Sequence, residues 1–313
     1  MRNSCILILL MLAFSASSAQ RKGTFDFLRL DMNARAAGLY GSFVSMTDDP
    51  NLLLYNPSAL ATLTQPSASA GFLKHLLDVN AGSVTYAQEI EDLGTFGAGI
   101  VFIHYGSFER TDESMNVLGT FSAREFAVVV GWGAAVAENT FAGASLEFIH
   151  SSIAEYGSSA LAAGAGVLYE IPSENITLGA SLLHLGTQLD SYVKTRESLP
   201  LSLTIGITKR PEHLPVYLNL NFHKLTENND SFFDRFNAFS FGAEFLLTES
   251  ARLRVGYDNE KRRELKLGSS AGLAGFAVGG GVFFGTHRID YAFNSYGAIG
   301  GLHRITIGMI VAP

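Results

Sequence analysis

The stretch LPLSLTIGITKRPEHLPVYLNLNF, residues 199–222, carries the pattern on which the fold turns. Leu199, Leu201, Leu203, Ile205 and Ile207 alternate with Pro200, Ser202, Thr204, Gly206 and Thr208. After a short polar break, Val216, Leu218, Leu220 and Phe222 alternate with Tyr217, Asn219 and Asn221. Successive side chains of a strand point to opposite faces, so period two means two strands, each with one apolar and one polar face.

Outward from this stretch the alternation recurs. Phe239, Phe241, Ala243 and Phe245 repeat it, as do Leu253, Val255 and Tyr257, then Ile289, Tyr291 and Phe293, and finally Ile305, Ile307 and Met309. We count about fourteen segments of roughly ten residues, the length that a tilted membrane-spanning strand needs. They cover 67–75, 79–89, 94–105, 121–136, 140–152, 159–171 and 176–187. The rest are 199–209, 214–225, 236–248, 251–259, 273–284, 287–296 and 301–312. The connections are short at 137–139, 172–175, 210–213, 249–250 and 285–286, and long at 106–120, 188–198, 226–235 and 260–272. Short and long alternate, as periplasmic turns and outer loops do in an up-and-down barrel.

A soluble sandwich shows the same period, so other features must choose. The first residues, MRNSCILILLMLAFSASSA, read as a secretory signal: Arg2, an apolar core, then small residues before a cut after Ala19 or Gln20. The single cysteine, Cys5, leaves with that signal, which excludes a disulfide scaffold. Some fourteen long strands exceed one ordinary sandwich. The polar faces carry Glu147, Glu244, Arg252, Arg254, Asp258, Arg288 and Asp290, which suit a wet or plugged lumen. The expectation is therefore an all-β protein: one up-and-down barrel of about 14 antiparallel strands, set in the lipid of the outer membrane. The chain divides as signal 1–19, an N-terminal plug 20–66 containing short helices, and barrel 67–313. One feature departs from the type: the chain closes on MIVAP, without a terminal aromatic.

The plug is read from DDPNLLLYNPSAL, residues 48–60. Asn56 is a good helix N-cap, and Pro57 suits the first helical position, where its missing N–H costs nothing. Asp48 and Asp49 read as turn or capping carboxylates in preference to a cation site. Together with NARAAGLYG at 33–41, this is short-helix material that can sit in a barrel mouth with its ends capped.

Little in the chain suggests catalysis. Net charge is −7, so no basic surface recommends nucleic acid. GSSAG at 268–272 matches a nucleophile pattern around Ser270, but the strand–turn–helix context is missing. GGGVFFG at 279–285 lacks a helix N-terminus to receive a phosphate. The histidines fall singly, with no pair at ligand spacing, and His104, His150, His184 and His223 read as rings at headgroup level near strand ends. No enzyme, cofactor or metal is expected.

The Asp-rich turn running into Asn-Pro-x-x-Leu, ahead of about fourteen strands, resembles the FadL-like outer-membrane superfamily. Within it, FDFLRLDMNARAAGLYG (25–41), GTFGAGIVFIHYGSF (94–108), LGTFSAREFAVVVGWG (118–133), LLHLGTQL (182–189) and IDYAFNSYGAIGGLHRITIG (289–308) resemble the PorQ-like barrels of the type IX secretion system, with PorV-like barrels next. The resemblance implies a non-enzymatic anchor that holds a PorZ-like surface protein, and through it PorU- and PorV-like proteins of the attachment complex. The superfamily's other activity, transport of hydrophobic small molecules, is the alternative. A general porin comes third, since some forty residues are available to fill the mouth. For an anchor, the contact surface falls on the outer loops, where Phe108, Met115, Phe232 and Phe233 mix apolar anchors with charges.

Overall fold

The computed structural model describes residues 24–75, 78–193, 195–227, 232–266 and 272–311. The signal stretch 1–19 and Ser270 lie outside the described residues. The strands are β1 (Ser67–Lys74), β2 (Asn80–Ile90), β3 (Gly94–Thr111), β4 (Val117–Ala137), β5 (Thr140–Ile153), β6 (Tyr156–Ile171) and β7 (Ile176–Asp190). They continue as β8 (Ser202–Lys209), β9 (Val216–Phe222), β10 (Phe239–Leu246), β11 (Ala251–Asp258), β12 (Phe276–Phe284), β13 (His287–Ser295) and β14 (Gly301–Ile310). Each pairs antiparallel with its chain neighbour, and β1 closes on β14 from Ser67↔Ile310 to Lys74↔His303. The result is a closed fourteen-stranded barrel with no free sheet edge around its girth.

The exterior and interior are inverted relative to a soluble protein. Leu146 and Ile307 are 64% and 54% exposed on the outside, whereas Arg254 and Asp290 are wholly buried inside. Along β11, Leu253 and Val255 face out while Arg254, Gly256 and Asp258 face in. Leu203, Leu220 and Phe241 likewise stand outside, and Thr204, Asn221 and Gly242 inside. A continuous apolar exterior of this extent needs lipid to cover it. The chain is an outer-membrane β-barrel.

The wall is uneven. β3 and β4 run 18 and 21 residues, whereas β9 has 7 and β10 and β11 have 8 each. Because a spanning strand needs only about 9–11 residues, the β3–β4 hairpin rises well past the bilayer. Outward-facing Arg124, exposed and paired in register with His104, marks where lipid must end. Beyond it both faces of the ribbon are wet. The expected fifteen-residue loop 106–120 is thus a correction: it shrinks to the turn 112–116. A bulge between His104 and Ser107, with Gly106 at φ +90°, absorbs the register shift, and pairing then resumes at Ser107↔Ser122 and Phe108↔Phe121. With water on both faces, the ribbon has no apolar face to betray it in the sequence.

Residues 26–62 fill the lumen as short helical turns: Asp26–Arg29, the helix α1 (Ala34–Gly38), Pro50–Leu54 and Pro57–Thr62. Ala34, Ala36, Ala37 and Leu39 of this segment are fully buried, because the barrel wall encloses them on all sides.

Candidate functional site: a plugged lumen with an outer vestibule

Asn33 caps α1, accepting from the backbone N–H groups of Arg35 and Ala36 at 2.6 and 3.2 Å. Alanines then let the helix lie flat on β11–β14, where Thr306 Oγ1 accepts from Ala34 N at 2.8 Å and Asn294 Nδ2 donates to Ala37 O at 2.9 Å. That seating aims Arg35 at the wall. Asp49 precedes the next helical turn, capping Pro50–Leu54 by accepting from the N–H of Asn51 at 3.0 Å.

These two plug residues complete a closed ring of six charges. Arg35 clasps Glu244 with two hydrogen bonds of 3.0 Å, and Glu244 accepts from Arg254 Nε. Arg254 Nη1 reaches Asp290 Oδ1 at 2.6 Å, and Asp290 Oδ2 meets Arg288 Nε at 2.6 Å. Arg288 Nη2 returns to Asp49 Oδ2 at 2.8 Å, and Asp49 closes the ring onto Arg35 at 3.3 Å. Three cations alternate with three carboxylates, so every buried charge has two opposite neighbours and the ring is neutral. Burial alone would raise the Asp49 carboxyl, but the Arg288 and Arg35 charges and the Asn51 hydrogen bonds outweigh it and hold the pKa at about 2. For Arg35, burial works against the charge, yet Glu244 and Asp49 win and push its pKa up.

The other half of the plug is held by shape. Asn56 caps Pro57–Thr62, with Pro57 at the first position; its Oδ1 accepts from Ser58 Oγ at 2.6 Å. Its Nδ2 donates to Val44 O at 2.8 Å and to Val167 O of β6 at 3.3 Å. The wall makes room only because it is glycine there. A Cβ at Gly166 would lie 1.9 Å from Asn56 Oδ1, and one at Gly143 would lie 2.4 Å from Ser58 N.

Beside the plug, toward the rim that bears the longer connections, a cavity of about 720 Å³ opens. Val101, Ala127, Val129 and Leu183 give it an apolar side on the tall wall. The opposite side is charged. His223, Asp258 and Glu260 gather there, Glu260 lying on the short outer helix α2 (Asn259–Glu264). Lys224 Nζ bonds Glu260 Oε2 at 2.6 Å. Although burial opposes it, hydrogen bonds from His223 and Lys224 hold the Glu260 pKa down at about 2. Below, Asp31 is raised by burial, against the opposing pull of Arg304 and the Tyr55 hydroxyl. His184 of β7, at φ +61°, turns inward to Glu147 at 2.8 Å.

Of the plug residues singled out in the sequence, Asp49, Asn56 and Pro57 are buried at helix starts, and Asp48 sits in the preceding turn at φ +58°. Of the loop residues, Phe108 is on β3, not in a loop, and stacks on Phe121 at 5.4 Å. Met115 tops the 112–116 turn, 80% exposed. Phe232 begins the 3₁₀ turn Phe232–Asn237, and Phe233 in the same turn is 78% exposed. Reading His184 and His223 as headgroup rings is a correction, since both face the lumen: His184, at positive φ, breaks the alternation of β7, whereas His223 keeps the inward parity of Asn219 and Asn221. The ring of charges joins plug residues to three strands, and the His223 cluster joins the end of β9 to Asp258 and Glu260. The inward parity of the strand residues Glu244, Arg254, Asp258, Arg288 and Asp290 was visible in the sequence, but not their meeting with Arg35, Asp49 or Glu260.

No protein-family model matches the sequence, and neither does any curated protein. Solved structures do. A FadL homologue from Pseudomonas aeruginosa aligns over 89% of this chain and 98% of its own, with TM-score 0.56 and 10% identity. The barrel has the FadL-type fold. The toluene transporter TbuX of Ralstonia pickettii aligns at TM-score 0.58 and 11% identity over 88% and 96% of the two chains. TodX, the toluene transporter of Pseudomonas putida, aligns at 0.57 and 14% over 89% and 96%. At such identities the FadL-type fold is what is shared, and the fold by itself assigns no function.

Proposed function

We propose that this FadL-type barrel is a closed outer-membrane platform that holds a surface protein at its outer rim, in the manner of the PorQ-like barrels of type IX secretion that its sequence resembles. The observation that carries this reading is the ring of charges: the plug is ion-paired to three strands of the wall, an arrangement suited to a lumen that stays filled. The vestibule lining adds support, since charged groups interrupt any apolar track for a lipophile. The protruding β3–β4 ribbon offers contact residues outside the lipid, with Val117 and Leu118 exposed beside Met115. The occupant would be a PorZ-like protein, linked through it to PorU- and PorV-like partners.

A second reading is uptake of hydrophobic small molecules. It is favoured by the solved structures of the same fold that bear the name toluene transporter, and by the 720 Å³ vestibule with its apolar side. Deleting the gene separates the two. Loss of a PorZ-like protein from the cell surface with unchanged toluene uptake supports the platform; retention of that protein with collapsed uptake supports the transporter. The variant Met115→Ser/Leu118→Ser should release the partner while leaving the barrel folded.

A further inference from the structure

His223, Asp258 and Glu260 come from three separate elements: the residue after β9, the end of β11, and α2. His223 Nε2 stands 3.5 Å from Asp258 Oδ2 and 3.5 Å from Glu260 Oε2. The three atoms all lie within 4.8 Å of one another. A tetrahedral metal with bonds of about 2.0–2.1 Å spaces its ligand atoms about 3.3–3.4 Å apart, so two of the three separations already match one. Lys224, at φ +54°, breaks the strand alternation, which lets His223 and Lys224 both line the vestibule.

The surroundings favour a cation. The described lining of the vestibule carries seven carboxylates against four lysines and arginines, so its field is negative. The first ligand shell is also braced. Asp258 Oδ1 accepts from Lys261 N at 2.7 Å, as the cap of α2, leaving Oδ2 to face His223. One imidazole nitrogen and two carboxylate oxygens suit a first-row transition ion such as Zn²⁺ better than Ca²⁺ or Mg²⁺, which take oxygen alone.

We propose that His223, Asp258 and Glu260 bind one divalent transition-metal ion, with Zn²⁺ as its probe, and that the ion ties the outer helix α2 to the end of β9. A further coordination position faces the vestibule. Lys224 is the competitor: its ammonium holds Glu260 Oε2 and must swing aside for the metal to enter. The site is independent of the platform and transporter readings, since it concerns the rim of the vestibule whatever the barrel carries.

The test uses the full mature chain, without a histidine tag, purified in detergent and freed of metal with a chelator. Zinc titration followed by equilibrium dialysis and metal analysis should give one equivalent per chain, with a raised unfolding midpoint. His223→Ala and Glu260→Gln should each weaken binding about tenfold or more, while Lys224→Met should tighten it. Glu260→Gln, on an outer helix, guards against a failure of His223→Ala to fold. No stoichiometric zinc, unchanged affinity in both ligand variants, or weakening in Lys224→Met each overturns the proposal.

Discussion

Where the plug meets β5 and β6, the wall offers glycine; where it meets β10, β11 and β13, the wall adds arginines and carboxylates to Gly242 and Gly256, against which Leu39 and Tyr40 press. On the first side Gly143 and Gly166 let the backbone of Pro57 and Ser58 and the Asn56 side chain press against the sheet. On the second side Glu244, Arg254, Arg288 and Asp290 engage Arg35 and Asp49 through the closed ring. The two grips have different physics. Close packing fixes position through volume exclusion, and its loss is graded. Buried charge is all or none, because an ion pair that loses one partner leaves the other uncompensated in a dry interior. The outer faces of both halves, by contrast, are alike, since both meet the same lipid.

The largest effect should come from the charged side. Arg254→Met leaves Glu244 and Asp290 with one cation fewer, and should cost about 3–5 kcal/mol in urea unfolding of the detergent-solubilised barrel. A loss near zero would mean that the ring does not hold the plug. Next come the outer faces. Leu220→Arg on the short wall and Leu146→Arg on the tall wall should each cost about 2–4 kcal/mol where they lie near the midplane. A tall-wall variant tolerated without loss would put that wall in water instead of lipid.

The packed side should respond more mildly. Gly143→Val drives a side chain into Ser58 and should cost about 1–3 kcal/mol, with faster proteolysis of residues 48–62 as the local readout. Unchanged protease protection would show that the close approach at Gly143 is not what seats that turn. Asn56→Ala removes a cap and a bridge to β6, for about 1 kcal/mol.

The smallest effect at neutral pH is the titration of Asp49, which appears only in acid. Its folded pKa of about 2 lies below the ordinary 3.8. The stability it contributes is therefore complete above about pH 4 and is lost as pH falls through 2. Unfolding midpoints measured from pH 5 downward should decline over that window, and Asp49→Asn should flatten the decline while lowering stability at pH 7. A wild-type curve that is already flat would place Asp49 outside the ring.

The period-two pattern of 199–222 and its repeats determined the strands, their number and which side chains face lipid, because alternation is a local property that every strand displays by itself. Tall and short walls were not legible, since the upper β3–β4 ribbon is wet on both faces and a strand without an apolar face looks like a loop. Helix starts at Asp49 and Asn56 were legible, because caps act within three residues. Their second roles were not. Asp49 meets Arg288 and Asn56 meets Val167 across the lumen, contacts that exist only once the barrel has closed. His223 likewise meets Asp258 and Glu260 across β10. The sequence alone thus determined the face of each residue in the regular strands, through local periodicity. Only the tertiary structure decided which inward residues meet, because ring closure and strand stagger bring distant positions to one point in the lumen.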